Sequence, residues 1–124
     1  MNRVNLIYIL FLGIIIGIQS CTYDNEIELY PQTVDCDTTN VSYSAAIVPI
    51  MSNNCNGCHG GASPTAGVIT DSYEGLKQIA DNGRLWGAVN HQQGYSPMPK
   101  DLPKLNDCDL AQINIWINNG ALND

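Results

Sequence analysis

Apolar positions along this chain follow two rules. From Leu6 to Ile18 they form one unbroken, uncharged run; beyond residue 41 they recur at helical spacing. Ile47, Ile50 and Met51 stand at i, i+3, i+4 and define one face of a first helix, which Ser42 or Ser44 can cap. Pro49 lies inside this stretch, so the helix must start or kink there, and it ends at Ser52-Asn53-Asn54. Gly60 to Gly67 reads as a loop. Asp71 and Glu74 have capping-box spacing, with Asp in place of Ser or Thr. They predict a second helix from Asp71 through Leu76, Ile79 and Ala80, stopping at Asn82-Gly83. Leu85, Trp86, Ala88 and Val89 predict a short third helix, and the three prolines between Gly94 and Pro103 exclude regular structure there.

The last helix is the clearest. Asn106 caps it and Gly120 follows it. Leu110, Ile113 and Ile117, with Trp116 beside them, form its apolar face. Cys108, Ala111 and Ile115 form a second stripe on another side, which something must cover. No short segment alternates as a strand does, so the predicted fold class is all-α.

The opening run changes meaning once its flanks are considered. Arg3 precedes it, no acid accompanies it, and Ser20 precedes Cys21. Residues 1–20 therefore read as a secretory signal, whose 13-residue apolar run from Leu6 to Ile18 is shorter than the ~20 residues that span a bilayer. The competing reading is an uncleaved membrane anchor. Ile18-Gln19-Ser20-Cys21 resembles a bacterial lipobox, with Gln19 departing from the usual middle residue. The resemblance implies that Cys21 carries lipid and anchors an exported protein to a membrane of the bacterial cell envelope, facing the periplasm or the cell surface. Residues 21–41 then read as a tether, acidic through Asp24, Glu26, Glu28 and Asp35 and broken by Pro31. Its first 14 residues could reach about 45–50 Å when extended. Residues 42–124 make up the domain proper.

The chain has 124 residues, with 5 Lys and Arg against 12 Asp and Glu, a formal net charge of −7. The length allows one small domain. So few bases cannot neutralise many phosphates, which argues against a nucleic-acid partner.

Cys55-Asn56-Gly57-Cys58-His59 carries the chemistry. C-x-x-C-H is the spacing of c-type haem attachment. Two thiols three residues apart on a helical turn can reach the two vinyl groups on one porphyrin edge, and the adjoining imidazole can face the iron. Three other readings compete with it, one of them a chance match of the string. A thioredoxin-like redox pair would need a βαβ setting, which the pattern lacks. A zinc site would need Cys36 with Cys108 or His91, without the usual paired spacing.

Met98, in Ser96-Pro97-Met98-Pro99-Lys100, is the candidate sixth ligand. A thioether is a soft, neutral ligand that raises the potential, and flanking prolines stiffen the loop that carries it. His91 is the rival, and bis-His iron would have a lower potential. Met51, on the first helix, reads as core.

The order of features resembles class I monohaem cytochromes c: a helix ending in Cys55-x-x-Cys58-His59, short middle helices, the Met98-Pro99 loop, then a last helix with Trp116. The resemblance covers about Ser42 to Ala121. Pro49 and the short segment between Val89 and Met98 depart from the best-known members. The resemblance implies three to five short helices around one covalent haem, first and last helices crossing near a haem edge, His59 as proximal and Met98 as distal ligand. It also implies electron transfer between redox protein partners, not an enzyme activity. Trp86, Val89, Tyr95, Leu102 and Leu105 are candidates for the pocket lining. Lys100 and Lys104 flank the Met98 loop, although the net acidity suits a partner with a basic patch.

Cys36 and Cys108 remain. Outside the cytoplasm two spare thiols more often pair than stay free, and the alternative is that both are reduced or metal-linked. A bridge would lay the tether on the second stripe of the last helix, over Ile115, and close a loop of about 70 residues, worth about 4 kcal/mol in the chain-entropy model. Two further function classes stand beside electron transfer. One is a haem enzyme or small-ligand sensor with an open or displaceable sixth position. The other is an interaction lipoprotein with zinc or disulfides in place of haem.

Overall fold

The computed structural model describes residues 36–124, so the signal over 1–20, the lipid site Cys21 and the tether up to residue 35 lie outside the described residues. The described part is helical, with no strand among its residues, in agreement with the all-α expectation. A π-helical turn, Tyr43–Ile47, runs into α1, Val48–Asn54. A one-turn α2, Asn56–His59, follows directly, then α3, Tyr73–Asp81, α4, Arg84–Val89, and α5, Asp107–Asn118. Among the described residues no helix is long and apolar enough to cross a membrane.

Local chemistry explains the boundaries. Ser42 Oγ accepts from the Ala45 amide at 3.1 Å and caps the first turn. Pro49 falls in the first turn of α1, directly after the π-helical turn. The cap of α3 differs from the expectation. It is Ser72, whose Oγ accepts from Gly75 N at 3.2 Å. The Asp71 carboxylate is turned away, accepting from Gly61 N at 2.6 Å and tying down the preceding loop. Gly83 turns the chain from α3 into α4 at φ 78°, a conformation that costs little only without a Cβ. Asn106 Oδ1 accepts from Asp109 N at 2.9 Å, as its place before α5 predicts.

The core gathers Ile47, Ile50 and Met51 with Leu76, Ile79 and Ala80, then Leu85 and Val89, and Leu110, Ile113 and Trp116 of α5. Ile117, expected on this face, is only half-buried. The Tyr43–Ile47 turn packs on α5, α3 packs on α4, and α4 packs on α5. Tyr43 lies between Tyr73 and Trp116, with ring centroids 5.2 and 5.9 Å away. The chain end closes this cluster. Trp116 Nε1 donates to Leu122 O at 2.9 Å, Tyr73 Oη to Ala121 O at 3.0 Å, and Ser44 N to Asp124 O at 2.9 Å.

Cys36 and Cys108 form a disulfide, with Cα atoms 5.6 Å apart. Gln112 Nε2 adds a bond to Asp37 O at 2.9 Å. These ties draw residues 36–41 onto the helical domain. Cys108, Ala111 and Ile115 are all half-buried beside the incoming segment.

Candidate functional site

The site is built where α1 ends. Cys55 leaves helical geometry at φ −123° and ψ −43°, while its N–H still donates to Met51 O at 2.8 Å. Its carbonyl accepts from both Cys58 N at 3.1 Å and His59 N at 3.0 Å, so one turn of α2 carries Cys58 and His59. Neither Cys55 nor Cys58 is in a disulfide; Cys55 is half-buried and Cys58 is exposed. Burial pushes the Cys55 thiol up to about 11. Asn56, between the two cysteines, has its side-chain amide 2.8 Å from the hydroxyl of buried Thr70, whose N–H donates to His59 O at 2.9 Å.

His59 Nδ1 lies 3.2 Å from Thr65 O. A carbonyl only accepts, so Nδ1 is the donor in this contact and Nε2 is the nitrogen left to face a ligand. That is the tautomer and the kind of outer contact that metal-ligating histidines use.

Two adjoining cavities meet at this turn. They enclose about 630 and 1070 Å³ of empty space, part of it continuous with solvent. Cys55, His59, Val89, Ser96 and Met98 line both. Val68, Ile79, Leu85 and Tyr95 add apolar wall to the first, with Arg84 its one cation. Cys58, Leu102 and Leu105 line the second, with Lys100 its one cation. Thus Met98, remote in sequence from His59, borders the same space.

The backbone of Met98 is held at both polar groups. Its N–H donates to Ala88 O at 3.1 Å, and its carbonyl accepts from His91 Nε2 at 3.0 Å. His91, the rival ligand, lines neither cavity. Of the expected lining residues, Val89, Tyr95, Leu102 and Leu105 reach the cavities; Trp86 does not and packs half-buried against the core. Lys104 Nζ bonds Asn90 Oδ1.

The donor set suits a c-type haem: two unpaired thiols at attachment spacing, an imidazole with Nε2 free, a thioether, and mostly apolar walls. It does not suit the zinc site considered from sequence, because Cys36 and Cys108 are consumed in their own disulfide. Sequence reasoning missed Thr65 and Ala88. Both act through backbone carbonyls, which every residue has, so residue identity carries no signal for either. No family model, curated protein or solved structure matches the chain.

Proposed function

We propose that this chain is a cytochrome c-like electron-transfer protein that binds one covalent haem c. The observation that carries the reading is the convergence of Cys55, His59 and Met98 on the same two cavities. Haem, when bound, supplies an iron that cycles between Fe(III) and Fe(II). The protein's part is to hold and tune it. Cys55 and Cys58 would bond the porphyrin edge. His59 would ligate through Nε2, held by its Nδ1 bond to Thr65 O. Met98 would supply a soft sixth ligand that favours the reduced state. The apolar walls limit water and lower the local dielectric, which further favours the less charged iron. With His59 and Met98 both given to the iron, the protein would leave no place there for a substrate, so the domain would pass electrons between protein partners and make no bonds to them.

The disulfide supports export, since such bonds persist in oxidising compartments. Together with the signal and lipobox expectations for residues 1–21, it supports a protein anchored at the cell envelope through Cys21.

The deciding experiment expresses the mature protein with cytochrome c maturation machinery and records its pyridine haemochrome. The expected result is a two-thioether spectrum that survives acid–acetone extraction, changed to a single-thioether spectrum in Cys55→Ala or Cys58→Ala. A colourless protein, alongside a control cytochrome that is loaded, refutes the reading. Failure of added cyanide or carbon monoxide to bind readily would separate the electron carrier from a haem sensor or peroxidase-like enzyme.

A further inference from the structure

The segment from His91 to Met98 is closed by a clamp at its two ends. Ala88 O, at the end of α4, accepts from His91 N at 3.2 Å and from Met98 N at 3.1 Å. The His91 ring then reaches back over the loop, and Nε2 lies 3.0 Å from Met98 O. A carbonyl cannot donate, so Nε2 carries the proton and gives it to this bond. His91 adopts φ 54°, in the left-handed region that non-glycine residues seldom take and that His, with Asn and Asp, takes more readily than most. Such a conformation costs free energy and persists where surrounding structure holds it. Here it brings an exposed imidazole onto the carbonyl of the residue whose thioether borders both cavities.

We propose that His91 is a positioning residue for Met98: its ring N–H holds the Met98 carbonyl so that the thioether is kept at the iron, and His91 is not itself a ligand. The inference rests on the haem reading above. The bond shifts the balance between Met98 on and off the iron without touching the iron. Its loss raises the fraction of molecules whose sixth position is open, and the apparent affinity of an external ligand rises in proportion.

The test uses the haem-loaded protein and three variants. His91→Asn tolerates the left-handed backbone but is too short to reach Met98 O. His91→Gly removes the strain and the donor together. His91→Gln restores a donor at similar reach. The readouts are the ferric thioether-to-iron charge-transfer band and the equilibrium affinity for cyanide. His91→Asn and His91→Gly should bind cyanide roughly two- to tenfold more tightly than wild type, the effect of one hydrogen bond. His91→Gln should return most of the difference. Equal cyanide affinity in wild type and His91→Asn, with the band present in both, overturns the positioning role and leaves Met98 ligation standing. A haem-loaded wild type without the band overturns Met98 ligation and this inference with it.

Discussion

Removing the Cys36–Cys108 bridge is the sharpest test of how the domain is held together. The bonded residues are 72 apart in sequence, so the bridge constrains most of the unit in its unfolded state. The chain-entropy relation for a loop of this length yields about 15 cal/mol/K, or about 4 kcal/mol at 25 °C. Two effects reduce that figure. The unfolded chain is already more compact than a random coil. Without the bridge, residues 36–41 keep only weak ties such as the Gln112 bond to Asp37 O, so they fray and return entropy to the native state. The expected loss for Cys36→Ser with Cys108→Ser together is therefore about 2–4 kcal/mol, a large share of the ~5–15 kcal/mol that holds a typical domain. The double variant avoids leaving one reactive thiol. The assay is equilibrium urea unfolding, with the native bridge intact and absent. At a slope of roughly 1–2 kcal/mol/M, the midpoint should fall by about 1–4 M. The slope itself should rise, because an uncrosslinked unfolded chain exposes more surface. A fall of less than ~0.3 M with an unchanged slope would refute the loop-entropy reasoning.

Three further outcomes test separate parts of the structure. Ser72→Ala should cost about 1 kcal/mol in thermal or urea unfolding because it removes the cap of α3, whereas Asp71→Ala should leave α3 capped and instead speed hydrogen exchange at Gly61 N. Gly87→Ala places a Cβ 2.5 Å from the Tyr95 ring, so overpacking of about 1–3 kcal/mol should outweigh the ~1 kcal/mol that Ala gains in a helix; a stabilised variant contradicts this. In haem-free protein, half-buried Cys55 should alkylate much more slowly than exposed Cys58 at pH 8, because a thiol raised to about 11 is almost wholly protonated there. Its rate should climb about tenfold per pH unit up to that value. The sign for stability follows: the fold favours the neutral thiol, so this contribution is intact below the ordinary value of 9.0 and is lost as pH rises toward 11. Equal rates for the two thiols at pH 8 would show that Cys55 is not buried without haem.

Local rules made much of this protein legible in the chain. Ile47, Ile50 and Met51 announced a buried face because helix geometry repeats every few residues. Asn106 announced a helix start because its side chain needs only the amide three residues on. Cys55, Cys58 and His59 were bound to lie side by side because their spacing itself brings them to one turn. The compartment inferred from the leader and the cysteine count made Cys36 and Cys108 a pair.

Other features depended on parts of the chain that sequence distance keeps apart. Asp71 and Ser72 both had the chemistry of a cap, and the choice fell to Ser72 because Gly61 N lies within reach of the Asp71 carboxylate. Trp86 and Val89 share a helix, yet packing sends only Val89 to the cavities. The opening of Met98 onto cavities that His59 also lines, the Thr65 carbonyl on the His59 ring and the reach of His91 back to Met98 come from loops whose paths no periodicity encodes. Helical faces and caps were therefore set within a few residues of chain, where geometry repeats. The site was completed by backbone carbonyls and loop closure, which depend on where the packed helices leave the chain.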